Sequence, residues 1–137
     1  MELPLRIGAV ALAAGVGVQT LRYYERRGLL TARRRTSSGY REYSVDAVRR
    51  VVFIRRAQAM GFTLDEIRAL LALRVREQRR CEPVKLSAEV ARGRVREQLT
   101  ALQRMDEVLE RLIRACDARD VTEECPILAA LEPEERT

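Results

Sequence analysis

The sequence predicts an all-α-dominated fold: a basic N-terminal domain of short helices with one small β-hairpin, then a single long helix built to pair with another copy of itself. Three observations predict it. Apolar residues recur at helical spacing between glycine stops before residue 75. Residues 31–43 switch to a short alternating pattern around a polar turn. Ala88, Val95, Leu102, Leu109 and Cys116 then follow one another at intervals of seven.

Taken in order, Ile7, Val10, Ala11 and Ala14 mark a first helix that Gly15-Val16-Gly17 ends. A second helix runs from about Val18 to Arg26, with Gly28 as its stop. Two short helices across a tight glycine turn make a helix-turn-helix. Thr31–Tyr43 reads as a two-stranded hairpin, its turn at Thr36-Ser37-Ser38-Gly39. Ser44 is the predicted N-cap of a third helix through Val48, Val51, Val52, Ile54 and Ala59. Thr63-Leu64-Asp65-Glu66 is a capping box opening a fourth, with Ile67, Leu70, Leu71 and Leu73 inward.

This gives a winged helix-turn-helix domain over 1–74, a polar link over 75–82, a dimerisation helix over 83–117, with Pro83 in its first turn, and a loop and tail over 118–137 that carry Cys125. The heptad seam also uses Ala91, Met105 and Leu112, with Gln98 as its exception. A rod of 35 residues at ~1.5 Å each is about 50 Å long, and one apolar stripe that long calls for a partner, so a homodimer is expected.

Charge is divided unevenly. Positions 1–74 hold 14 Arg and 6 acidic residues, whereas 75–137 hold 12 basic and 14 acidic ones, so the first half is the one suited to a polyanion. The second helix presents Gln19, Thr20, Arg22 and Tyr23 to the major groove of double-stranded DNA, while Tyr24 is expected to face the core. Tyr40 and Arg41 on the hairpin are placed to touch phosphate. The chain has no His, no Gly-rich phosphate loop and no nucleophile beside a recognisable base, which argues against an enzyme. Without an apolar leader or a ~20-residue apolar run, a cytoplasmic, non-membrane protein is expected.

Three cysteines, Cys81, Cys116 and Cys125, are read as thiols rather than disulfides. Cys81 follows Arg79 and Arg80 just ahead of a helix start, and Cys125 precedes Pro126; both settings favour thiolate. Cys81 and Cys116 stand near opposite ends of the long helix, too far apart to share one ion within a chain. An antiparallel dimer brings Cys81 of one protomer to Cys116 of the other, and Cys125 can return there through a loop, giving two sites per dimer. Three sulfurs and no imidazole suit a soft ion, Hg(II) or Pb(II); Glu123, Glu124 or Asp117 could complete a four-ligand site for Zn or Cd.

The blocks Thr20-Leu21-Arg22-Tyr23-Tyr24-Glu25, Gly28-Leu29-Leu30, Gly39-Tyr40-Arg41-Glu42-Tyr43, Ile54-Arg55-Arg56-Ala57-Gln58 and Gly61-Phe62-Thr63-Leu64-Asp65-Glu66-Ile67 resemble the N-terminal domain of the MerR regulators. Cys81-Glu82, Arg104-Met105, Ala115-Cys116-Asp117-Ala118-Arg119 and Cys125-Pro126 resemble the mercury-responsive branch. The resemblance implies a winged helix-turn-helix with an antiparallel coiled-coil helix, and a wing that grips phosphate. It implies Hg(II) as inducer with Cys81, Cys116 and Cys125 as ligands, and Pb(II)- or Cd(II)-responsive relatives are similar at these points. It further implies a regulator that represses when metal-free, then distorts promoter DNA to align it for RNA polymerase. A thiol redox-sensing regulator is the alternative use of the same cysteines. Gly17 departs from the pattern, where relatives often carry a capping Ser or Asn.

Overall fold

The computed structural model describes residues 4–75, 81–119 and 124–134. The chain divides into two compact units, residues 1–93 and 94–137.

In the first unit, β1 (Leu5–Arg6) leads directly into α1 (Ile7–Ala14). This helix buries Val10, Ala11 and Ala14 and ends at Gly15, whose φ of 72° is the left-handed conformation that glycine adopts without a Cβ clash. The N–H groups of Gly15 and Val16 bond back to the carbonyls of Leu12 and Ala11. Helix α2 (Val18–Arg26) turns Leu21 and Tyr24 into the core, and its N-cap, Gly17, supplies no side-chain hydrogen bond. Arg55, from the third helix, donates to the carbonyls of Ala14 and Gly15 and so ties the turn between α1 and α2 to the body of the domain.

Strands β2 (Arg34–Arg35) and β3 (Arg41–Tyr43) form the predicted hairpin, closed by Gly39 N–H to the Thr36 carbonyl and Tyr40 N–H to Thr36 Oγ1. The hairpin does not stand alone. β1 pairs antiparallel with β3, Leu5 opposite Tyr43 and Arg6 opposite Glu42, giving a three-stranded sheet in the order β1-β3-β2. Two residues are too few to show a period, so β1 left no pattern in the sequence.

Helix α3 (Asp46–Ala59) begins later than predicted. Its N-cap is Val45, without a side-chain bond, and Ser44 is not the cap; its carbonyl instead accepts the Ala47 N–H in the turn leading from β3. Helix α4 (Leu64–Val75) opens on the predicted capping box, Glu66 N–H to Thr63 Oγ1 at 3.2 Å and Thr63 N–H to Glu66 Oε1 at 2.8 Å. Val10, Leu21, Leu29, Tyr43, Val51, Ile54 and Ile67 form the solvent-free centre. That core fixes α2 and the hairpin on one frame.

Helix α5 spans Cys81–Ala118, 38 residues, starting two residues before the proline that marked it in the sequence. Residues 76–80, most of the predicted link, and 120–123, which include Glu123, lie outside the described residues. Within the second unit, α5 leaves Leu99, Leu102, Met105, Leu109 and Ile113 more than half exposed, an apolar stripe on a single chain. Helix α6 (Pro126–Leu131) follows, with Cys125 at its N-cap and Pro126 in its first turn. No helix among the described residues is long and apolar enough to cross a membrane.

Candidate DNA interface and thiol site

Burial of Leu21 and Tyr24 decides what α2 shows to solvent. With those two inward, Gln19, Arg22, Tyr23 and Arg26, spaced i, i+3, i+4 and i+7, share the outer face. Thr20 is half-buried beside it. Tyr24 faces the core as predicted, its hydroxyl donating to Gln58 Oε1 at 2.6 Å; burial raises its pKa, with the Arg55 charge opposing. Tyr23 packs against the Arg26 guanidinium, 5.8 Å from ring centre to carbon.

Between α2 and the hairpin lies an open cleft of about 890 Å³ whose lining includes Arg22, Arg26, Arg35, Tyr40 and Arg41. Tyr40, exposed at the turn, carries Arg6 over its ring at 4.6 Å. Arg41 pairs with Glu25 of α2. Arg22, Tyr40 and Arg41 are among the residues that the sequence predicts for DNA; Arg6, Arg26, Arg35 and Glu25 are not. The i+4 position of Arg26 relative to Arg22 was the available signal for one of these. The cleft is thus a concave, cation-rich surface joining a helix face to a hairpin, with the Glu25 carboxylate among its cations.

In the second unit, Cys116 near the end of α5 lies close enough to Cys125, at the N-cap of α6, to influence its ionisation. The backbone amides of Leu128 and Ile127 at the open end of α6 face Cys125, which makes no side-chain cap hydrogen bond. Those two amides, then the Arg119 charge and the Cys116 thiol, hold the Cys125 pKa below the ordinary thiol value, against partial desolvation. Cys81 stands in the first unit, exposed at the start of α5, beside an apolar groove that also includes Phe53, Met60, Phe62 and Leu73. Among the described residues of one chain, no three Cys, Asp or Glu side chains gather as a metal site.

Comparison with known proteins fits both halves. Residues 5–73 match the model of the MerR HTH family regulatory proteins, and 48–112 match the MerR DNA-binding model. The chain belongs to the MerR family. It is 43% identical over 130 residues to the mercuric resistance operon regulatory protein of Serratia marcescens, covering 95% of this chain and 89% of that one. It is 34% identical to heavy metal-dependent transcription regulator 2 of Rhizobium meliloti, over 90% of this chain and 84% of that protein. Among solved structures, the transcription regulator PbrR691 of Ralstonia metallidurans in complex with lead(II) superimposes with a TM-score of 0.74 at 38% identity, covering 93% of this chain and 99% of that chain. As a MerR protein with these relatives, the chain is a metal-responsive, DNA-binding transcription regulator and not an enzyme.

Proposed function

We propose that this MerR protein is a cytoplasmic homodimer that binds a palindromic promoter site in duplex DNA and switches on heavy-metal resistance genes when Hg(II) binds Cys81, Cys116 and Cys125. The observation that carries the proposal is that Cys116 and Cys125 lie near one another at the end of α5, with the third thiol at the start of the same helix. At ~1.5 Å per residue, 35 residues separate Cys81 from Cys116 by about 50 Å. A second α5, laid head-to-tail along the exposed stripe, cancels that distance and covers Leu99, Leu102, Met105, Leu109 and Ile113.

Thiols with no imidazole in the chain fit a soft, sulfur-seeking ion, and the lowering of the Cys125 pKa by its neighbouring amides favours the thiolate form. The similarity to a mercuric resistance regulator favours Hg(II). The lead(II)-bound relative makes Pb(II) the competing inducer. The ion would tie one protomer's Cys81, which adjoins α3 and α4, to the partner's helix end. That changes the angle between the two DNA-binding domains, and the promoter between them is distorted into register for RNA polymerase. The ion drives the shift by binding the activating state more tightly.

On the DNA, Gln19, Thr20 and Arg22 would read base edges, and Tyr23, Tyr40 and Arg41 would hold phosphates. Operator-dependent transcription titrated with Hg, Pb, Cd and Zn salts tests the proposal. Activation by Hg(II) at the lowest concentration is expected, and an equal response to Zn(II) would contradict it. Arg22→Ala is expected to weaken operator binding by ~1–3 kcal/mol while metal uptake stays as in wild type. An unchanged footprint for that variant would remove α2 as the reading helix.

A further inference from the structure

Glu25 is an odd residue to find in a cleft that faces DNA. It is an acid amid Arg22, Arg26, Arg35 and Arg41, and it repels the phosphates that those cations attract. Its side chain is only 11% exposed, one oxygen accepts from Arg41 Nη1, and the other, Oε1, is buried with no hydrogen-bond partner in the protein. A nearly buried carboxylate with an unmet lone pair, held by a guanidinium that is itself 40% exposed, does not recommend itself as a stabilising device. What the pair does is join two elements 16 residues apart: α2, which carries the reading face, and β3, which carries the wing.

Arg41 has five N–H donors in a rigid fork, so a carboxylate that engages one end leaves others for a phosphate. We propose that Glu25 is a specificity-determining positioning residue. It clasps Arg41 so that the wing and the reading helix meet the duplex at one fixed spacing, and it cancels a charge that would otherwise bind any sequence. The inference rests on the assignment of α2 and the wing to DNA given above. On unrelated DNA, where phosphates are uniform and no base contact sets the register, an unclasped Arg41 finds a phosphate freely. On the operator, the wing contact must form together with the contacts of Arg22, and fixed spacing is what links them.

The test uses the full-length protein, a duplex selected by wild type from a random pool, and an unrelated duplex of equal length, each titrated with salt. Glu25→Gln keeps the size and the acceptor but removes the charge. It is expected to bind the unrelated duplex ~5–10-fold more tightly at about 0.1 M salt, with a log–log salt slope steeper by ~0.9 for each half-site. The ratio of selected to unrelated affinity is expected to fall at least ~10-fold, each base-edge contact being worth about that much. Arg41→Ala should lose much less discrimination in the Glu25→Ala background than in wild type, because the two residues act as one device. An unchanged ratio in both Glu25 variants, or strictly additive effects of Glu25→Ala and Arg41→Ala, would overturn the proposal while leaving the DNA assignment intact. A wild-type protein that shows no preference between the duplexes would overturn both.

Discussion

Cys116→Ser is expected to abolish Hg(II)-dependent activation while the metal-free protein still binds its operator. Cys116 sits half-buried at the end of α5, near Cys125, and serine is close to it in size, so the helix survives the exchange. The effect on apo stability should stay within about 1 kcal/mol. Hydroxyl oxygen is a poor ligand for a soft ion, and in the proposed site the loss would be of a direct ligand. Even partners outside the coordination shell cost 10–100-fold in affinity, so a fall of more than about 100-fold is expected. Competition titration against a thiol chelator, run beside operator footprinting, checks both halves. Activation retained at wild-type Hg(II) concentrations would remove Cys116 from the site.

Leu102→Asp should have the larger effect on assembly. Leu102 is 59% exposed on a single chain and lies mid-way along the apolar stripe. Burying a leucine is worth ~1.5–3 kcal/mol, and two-fold symmetry counts the loss twice. A carboxylate left in an apolar seam adds several kcal/mol more. At 1.4 kcal/mol per decade, the dimer dissociation constant should rise at least ~1,000-fold. Sedimentation equilibrium measures this directly. Arg111→Ser, on the opposite side of α5, is the matched control and should leave the dimer unchanged. A metal site assembled from both chains, as proposed, predicts that Leu102→Asp also loses tight Hg(II) uptake with all three cysteines still present.

Much of this architecture was visible in the sequence because its signals are periodic or sterically forced. Gly15 and Gly28 end their helices in left-handed conformations, the Thr63 to Glu66 box caps α4 as its spelling requires, and the seven-residue spacing in α5 announces the stripe. What escaped was either too short or relational. β1 is two residues long, and only its pairing with β3 makes it a strand. Ser44 has the chemistry of a cap, but the turn out of β3 uses its carbonyl and moves the helix start to Asp46. The clasp between Glu25 and Arg41 depends on where the hairpin folds over α2, which no local pattern encodes. Proteins resolve such non-local pairings by packing, and local propensity is silent about them.

The central claim is that each metal site takes its sulfurs from two chains. Co-expressing a Cys81→Ser protomer with a Cys116→Ser, Cys125→Ser protomer under different affinity tags, and purifying the mixed dimer, tests it most directly. Sharing across the dimer predicts that the mixed dimer binds one Hg(II) with the tight, three-thiolate ultraviolet signature, whereas either variant alone as a homodimer has none. A mixed dimer as empty of that signature as its two parents would contradict it.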